Sequence, residues 1–500
     1  MDLFKRLADS IEKNRTRFAF CINEQFYSYK DLARCISAIR QHVSLHIPVA
    51  EKNIGLVTND DLETYASIIA LWFEDKAYVP LNRDTPIERN KFIIGESGVR
   101  TILDSSSEDF HLSCKIIKSK ELPSSELTLA PLSTNKQELA YILFTSGTTG
   151  VPKGVPITRA NLTAFISGFD LLINSINEND RWLQMFDLTF DLSVMSYLVP
   201  LLSGACVYTI PPGKIKYNYI FKLMDEQQIT GALLVPSVIH YLRPFFSEIH
   251  SIHMKYCLFC GEALSHDLAE NWQRCIPNAT IVNFYGPTEN TIFCTSYQLL
   301  RKEKGSQNKS YNDILSIGKC MNETLAIIVD NNNSLIPIGE KGELCLAGSQ
   351  LTPGYLNNDK KNAEAFFYSE YMGKKERFYK TGDLCMIDQN EDIMYIGRMD
   401  SQIKIQGFRV ELLEIEFYAK IFFGNLNVVA TPFTNVAGNS EIALIIESLP
   451  ANNTAALLDH MKKYLPVYML PSRIEFHTEF PYSKNGKIDK TLLRQLLQLK

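Results

Sequence analysis

The sequence predicts an α/β chain with a separate, small α+β unit at its end. Three observations predict it. The chain has 500 residues and 45% hydrophobic content, too long for one ordinary core, so at least two domains are expected. Through its middle, apolar runs enter Gly- or Pro-rich corners and then helical patterns, the grammar of strands feeding loops at one sheet edge. After "YIGRMD" a further set of strand and helix patterns forms a unit of its own. The expected domains are 1–399 and 400–500.

The elements follow in order. "ASIIALWFEDKAYVPLN" reads as a helix and then a strand, with Pro80 marking an exit from regular structure. "AYILF" runs into "TSGTTG", "GALLVP" into "SVIHYL", and "ATIVNF" into "YGPTEN". "RKEKGSQNKSYND" reads as an exposed loop. "DNNNS" reads as a turn that opens a strand-rich stretch, "GELCLAG", "DLCMID" and "DIMYIG". In the last hundred residues "QIKIQGFRV" alternates as a strand and "ELLEIEFYAKIFF" carries a helical stripe. "NVVATPF" and "EIALIIES" are strands, and "NTAALLDHMKKYL" is a helix capped by Asn or Thr.

Composition excludes several functions. The net charge of -5 leaves no broad basic field for nucleic acid or anionic lipid. "MDLFKRLADSIEKN" lacks the apolar core of a signal peptide, and no apolar run approaches the roughly 20 residues that span a bilayer. A cytoplasmic protein with no nucleic-acid partner and no membrane insertion is expected. Its eleven cysteines form no framework and read as small buried hydrophobes of a reducing compartment. "KYCLFCGEAL" holds a C-x-x-C spacing at Cys257 and Cys260, but no second pair or histidine pair accompanies it, which argues against zinc. In a strand the two thiols face opposite sides.

The strongest chemical signal is "LFTSGTTGVPKGV", Leu143 to Val155. A short strand ends in Thr145, Ser146, Gly147, Thr148, Thr149 and Gly150, with Lys153 following. Glycines let backbone N–H groups approach a polyphosphate, hydroxyls donate to its oxygens and lysine adds charge. It is not a Walker A loop, because Pro152 precedes the lysine and Gly154 follows it. In "NFYGPTEN", Tyr285 offers an aromatic face for a base, Asn283 can pair with an adenine edge, and Thr288 can bind a phosphate. Glu289 is a hard oxygen ligand suited to Mg2+. By itself the same stretch is a turn at Gly286–Pro287 beside a buried tyrosine.

These residues resemble the adenylate-forming enzymes, a superfamily of acyl-CoA synthetases, luciferases and nonribosomal peptide synthetase adenylation domains. "YSYKDLA", "KAYVPLN", "FDLSV", "NFYGPTENT", "GELCLAG", "YKTGDL", "GRMDSQIKIQGFRVELLEIE" and "NGKIDK" agree in the family's order and span essentially the whole chain. The resemblance implies a large N-terminal domain of stacked α/β subdomains with a small β-barrel-like subdomain, and a small mobile α+β C-terminal domain. It implies ATP and Mg2+. It also implies nucleotide contacts from Phe284, Gly286, Pro287, Asp383 on the ribose, Tyr395 and Arg398. It makes Lys487 the mobile lysine that bridges substrate carboxylate and α-phosphate, where transition-state charge builds. It makes Asp400 the hinge, and gives Thr145 a catalytic role.

"FDLTFDLSVMS" speaks to substrate class. Asp191 lies in an apolar run, and a buried carboxylate needs a partner. In the amino-acid-activating branch of the family this aspartate pairs with the substrate ammonium; alone, it could cap a helix or turn. Within that branch the chain is most similar to the D-alanine–carrier protein ligases. It departs from them at Phe284, at Asn290, Ile292 and Phe293, and at Ser196. The resemblance places Cys260, Gly261 and Ile292 against the substrate. It implies activation of a small amino acid, D-alanine among the candidates, and transfer to the phosphopantetheine thiol of a separate carrier protein. The alternatives are an acyl- or aryl-CoA ligase using a plain carboxylic acid, and a non-catalytic binding homologue. Asp191 argues against the first. Lys153, Glu289, Asp383 and Lys487 together argue against the second.

Overall fold

The computed structural model describes residues 2–123, 126–132, 135–147, 151–301, 308–400, 402–424, 426–435, 438–449, 453–481 and 488–498. The chain divides into two compact units. One comprises Met1–Asn82, Ile94–Leu143 and Gly154–Met399, the other Arg83–Ile93, Phe144–Lys153 and Asp400–Lys500. Two short early segments therefore group with the C-terminal residues, which chain order alone does not anticipate.

Among the described residues three large sheets fall wholly or mostly in the larger unit, beside a two-stranded ribbon of Ser310–Tyr311 and Ile314–Leu315. In the nine-stranded sheet, Thr280–Tyr285, Tyr256–Phe259, Gly231–Leu234, Arg181–Gln184, Cys206–Thr209 and Phe18–Ile22 run parallel. Antiparallel strands close both edges. Parallel strands need crossover helices, and the alternating strand and helix patterns of the sequence supply them. The six-stranded sheet runs Lys115–Lys118, Thr101–Asp104, Asn53–Val57, Ala77–Leu81, Leu139–Thr145 and Lys153–Thr158. Trp72, Trp182 and Trp272 are fully buried in one apolar cluster that draws on both sheets.

Pro80, expected to mark an exit, lies inside Ala77–Leu81 and pairs with Leu56 in parallel register. The strand on its other side pairs only at Tyr78 with Tyr141. The missing N–H at position 80 falls beyond that pairing, so the ladder tolerates it.

The third sheet is antiparallel, with Thr324–Val329, Gly342–Gly348, Lys374–Ile387, Phe366–Tyr371 and Ile393–Arg398. Its long strand meets Phe366–Tyr371 along its first half and Ile393–Arg398 along its second, with a register shift at Leu384/Cys385. Such a bulge bends a strand, and this bent sheet is the small β unit that the resemblance implies. In the turn before Gly342, the Asp330 carboxylate accepts from the amides of Asn332 and Ser334, both at 2.8 Å. Residues 302–307 of the expected exposed loop lie outside the described residues. The part that follows is built in: Asn308 is buried, and Lys309 bridges Asp388 and Asp392 at 2.7 and 2.5 Å.

In the smaller unit "QIKIQGFRV", expected as one strand, is a hairpin. Gln402–Ile405 and Phe408–Glu411 pair about Gln406 and Gly407, both at positive φ, 51° and 83°. That backbone matches the twist of a two-residue hairpin turn; glutamine in the first position hides the signal. Leu412–Phe423 follows as a helix, then a three-stranded sheet of Val428–Thr434, Ser440–Glu447 and Arg473–His477. Asn453 holds the cap position of the helix Thr454–Met461 but makes no side-chain cap bond.

Candidate active site

The loops that carry the sequence motifs leave the C-terminal ends of the parallel strands. Gln184 leads toward Asp191, Leu234 toward Pro236, Phe259 into Cys260 and Gly261, and Tyr285 into Gly286. That edge is where ligands bind in open α/β sheets. Two of the loops are tied together, since the amide of Ser237 donates to the Glu262 carboxylate at 2.8 Å.

Tyr285, Asp383 and Arg398 meet. The Tyr285 hydroxyl donates to the Asp383 carboxylate, and Arg398 approaches the same carboxylate at 2.9 Å while also donating to the Thr381 carbonyl at 2.8 Å. Asp383 and Arg398 are register partners across two strands, so the sheet itself sets the ion pair. Burial, and next Asp383, push the Tyr285 hydroxyl well up. Tyr395 packs against the same cluster as Tyr285. The Asn283 carboxamide donates to the Ser316 carbonyl at 3.0 Å, so one of its two N–H protons already serves the fold.

The glycine-rich segment belongs to the smaller unit. Thr145 ends its strand, and its hydroxyl oxygen is buried without a hydrogen-bond partner among the described residues. Ser146 donates to the Arg409 carbonyl at 2.8 Å. A Cβ on Gly147 would meet the Val151 carbonyl oxygen at 1.9 Å, so only glycine fits there. Lys153 is buried and opens the next strand. Thr148, Thr149, Gly150 and Lys487 lie outside the described residues. Asp400 is exposed, and its carboxylate accepts from the Gln402 amide at 3.0 Å.

The two aspartates of "FDLTFDLS" do different work. Asp187 accepts from the amide and hydroxyl of Thr189, at 2.8 and 2.7 Å, and closes a turn. Asp191 is the first residue of the helix Asp191–Leu202, while Phe190 holds the cap position. Asp191 is 7% exposed; it is not the cap, and the helix dipole favours its charge there. Tyr78 and Tyr141 are fully buried, and their hydroxyls are pushed up, by burial first and with Asp191 adding to it. Ser196 of the same helix donates to the Leu192 carbonyl at 2.9 Å.

The two cysteines of the C-x-x-C spacing part company. The strand Tyr256–Phe259 ends one residue before Cys260. Cys257 is fully buried and accepts from the Trp272 indole N–H at 3.3 Å; burial raises its thiol to about 12. Cys260 is buried at the strand's end, with its amide on the Leu234 carbonyl at 3.1 Å, and Gly261 takes a φ of 94°. All eleven thiols are free. Among the described residues no group of three or more His, Cys, Asp or Glu could hold a metal.

After Gly286 and Pro287 comes a 3-10 turn, Thr288–Asn290. A Cβ on Gly286 would lie 2.3 Å from the Phe293 Cα, so the loop folds back tightly on itself. Glu289 is fully buried, and the Tyr355 hydroxyl donates to its carboxylate at 2.7 Å. Thr291 and Ile292 follow at φ 54° and 71°. Both are β-branched, and this region costs such residues about 1–3 kcal/mol each. Phe293 stacks on Phe284 at 4.1 Å with Phe165 edge-on at 4.9 Å, so the Phe284 side chain is committed to an aromatic pack.

A strap at 349–352 braces this loop. The Gln350 carboxamide donates to the carbonyls of Asn290 and Thr291, both at 3.2 Å, and of Phe293 at 2.9 Å. The Thr291 hydroxyl donates to the Gln350 main-chain carbonyl at 2.5 Å, and the Thr352 amide to the Glu289 carbonyl at 2.8 Å. Asn161 holds the strap from the other side through the carbonyls of Ser349 and Leu351, at 2.8 and 3.0 Å. Sequence reading missed Gln350, Tyr355 and Asn161. A lone glutamine after a strand-ending glycine carries no pattern of its own.

The sequence matches the AMP-binding enzyme family over residues 7–356. It is 28% identical over 497 residues to gramicidin S synthase 2 of Brevibacillus brevis, covering 97% of this chain but 11% of that protein, so the chain spans only a small part of that relative's length. It is 28% identical over 513 residues to a D-alanine–D-alanyl carrier protein ligase of Bacillus anthracis, covering 98% of this chain and 99% of that one. Among solved structures it superposes on the Vibrio cholerae adenylation domain AlmE in complex with glycyl-adenosine-5'-phosphate. That match has a TM-score of 0.85 and 25% identity, and covers 100% of this chain and 98% of the other. With its match spanning well over half its length, the chain belongs to the AMP-binding enzyme family.

Proposed function

We propose that the chain activates a small amino acid with ATP, releasing pyrophosphate, and passes the aminoacyl group to the phosphopantetheine thiol of a carrier protein in the cytoplasm. The observation that carries this reading is Asp191: a buried carboxylate at the head of an apolar helix, on the ligand-binding edge of the sheet. A substrate ammonium matches such a site in charge, whereas a plain carboxylic acid offers it no cation. The packed Phe284–Phe293 stack supports a small side chain, as does the glycyl adenylate held by AlmE.

In this reading Tyr285 offers its ring to the adenine and Asp383 accepts the ribose hydroxyls. Thr145, Ser146 and Gly147 face the phosphates together with Thr148, Thr149, Gly150 and Lys153. The Thr145 hydroxyl, unpartnered among the described residues, and the close approach at Gly147 suit that role. Glu289 is the residue that would hold Mg2+, which takes one or two carboxylates plus substrate phosphates and would neutralise phosphate charge there. Lys487 steadies the attacking carboxylate and the α-phosphate. Asp400 is the hinge that carries Lys487 away for the thiol-transfer step.

The test is ATP–pyrophosphate exchange over glycine, D- and L-alanine, larger amino acids, and acetate and propionate. Exchange with a small amino acid but neither plain acid is expected. Exchange driven by the plain acids alone would replace this reading with acyl-CoA ligation.

A further inference from the structure

We propose that Gln350 is the positioning residue of the substrate loop: it holds the turn Asn290–Phe293, in which Thr291 and Ile292 are left-handed and would otherwise relax, and so sets how Ile292 meets the amino acid. The inference rests on the amino-acid-activating reading for its consequence, and on geometry for the clamp. Thr291 and Ile292 are adjacent β-branched residues at positive φ, a backbone that persists only where its surroundings over-determine it. Gln350 supplies that constraint. It is fully buried, and its two N–H protons are shared among three carbonyls of this one turn while its main-chain carbonyl takes the Thr291 hydroxyl. The clamp is anchored, because Asn161 fixes the residues on either side of it. Gln350 touches neither reacting group and acts through the loop.

Two variants test it. Gln350→Leu keeps the volume and removes both donors. Amide hydrogen exchange in 290–293 is expected to rise, and KM for the amino acid to rise about tenfold with KM for ATP nearly unchanged. Gln350→Glu keeps the shape. The groups that contact it are the carbonyls of Asn290, Thr291 and Phe293 and the hydroxyls of Thr291 and Thr324. A neutral acid there donates one O–H, whereas a carboxylate repels the carbonyls, so activity relative to the unmodified enzyme falls as pH rises. Should the leucine variant not fold, the pH profile of the glutamate variant decides. Unmodified exchange protection, KM and pH profile in the variants that fold overturn the proposal. If the unmodified enzyme activates no amino acid, the functional reading fails, and hydrogen exchange still decides whether the clamp exists.

Discussion

The hydroxyl of Tyr285 and the carboxylate of Asp383 are joined by a hydrogen bond between residues 98 apart in sequence. One residue ends a parallel strand of the nine-stranded sheet, the other lies in the bent antiparallel sheet, and Arg398 completes the group. Because burial and Asp383 both raise the Tyr285 hydroxyl, it remains a donor across neutral pH. Tyr285→Phe removes that donor and is expected to cost about 1–3 kcal/mol of stability, read from urea midpoints. Asp383→Asn should weaken ATP binding about tenfold or more by calorimetry. Unchanged affinity would remove Asp383 from the nucleotide site.

Asp191→Ala is expected to abolish amino-acid-dependent pyrophosphate exchange. Losing one member of a buried ion pair costs about 3–5 kcal/mol, or roughly two hundredfold to a few thousandfold. Equal activity of the unmodified enzyme on des-amino acids would defeat the assignment.

Asp60 predicts an unusual pH dependence. It accepts from the Thr209 hydroxyl at 2.8 Å, and burial raises its carboxyl from 3.8 to about 6. A raised folded pKa contributes stability that is complete below the unfolded value and lost as pH rises through the folded one. Asp60→Asn should therefore stabilise the protein by about 2–3 kcal/mol at pH near 8, and by almost nothing near pH 4. Denaturation midpoints at the two pH values check it; a constant difference would count against a buried ionising carboxylate.

Lys487→Ala and Asp400→Pro separate the two half-reactions. The first should remove adenylation while largely sparing transfer from a preformed adenylate. The second locks φ at the proposed hinge and should slow thiol transfer more than adenylation. Equal losses in both half-reactions for Lys487→Ala, or no loss for Asp400→Pro, contradict these roles.

Cys260→Ala should shift selectivity among small amino acids, enantiomers included, since one methylene-sized change in a pocket alters discrimination by about 1–3 kcal/mol. Competition assays with glycine and both alanines read it. An unaltered preference would leave Cys260 as packing only.

The α/β architecture was legible because strand and helix periods differ and because glycine and proline punctuate them. The Gly286–Pro287 corner and the glycine-rich turn at Gly147 were visible for the same reason. Pro80 misled, since whether a proline interrupts a ladder depends on which neighbouring strand pairs there. The hairpin at Gln406 was hidden because its turn borrows a residue without a turn signature. Asn283 shows the general limit for the site: its residue type suits adenine, but its Ser316 contact is a tertiary fact. Gln350 was invisible for the matching reason, as its partners are all backbone atoms and backbone atoms leave no trace in side-chain pattern.

The Gln350 contacts also set an order of events. They join residues 59 and 60 positions apart, so the turn at Asn290–Phe293 cannot settle when it is first made. On a ribosome working from the N-terminus, the helix headed by Asp191 and the strand that ends at Tyr285 emerge well before the strap that braces the loop after Tyr285. Closing that long loop carries an entropic cost that no local contact repays. The nascent chain would thus own a nearly complete sheet with an unfinished mouth, and the mouth would close only as the bent β unit forms.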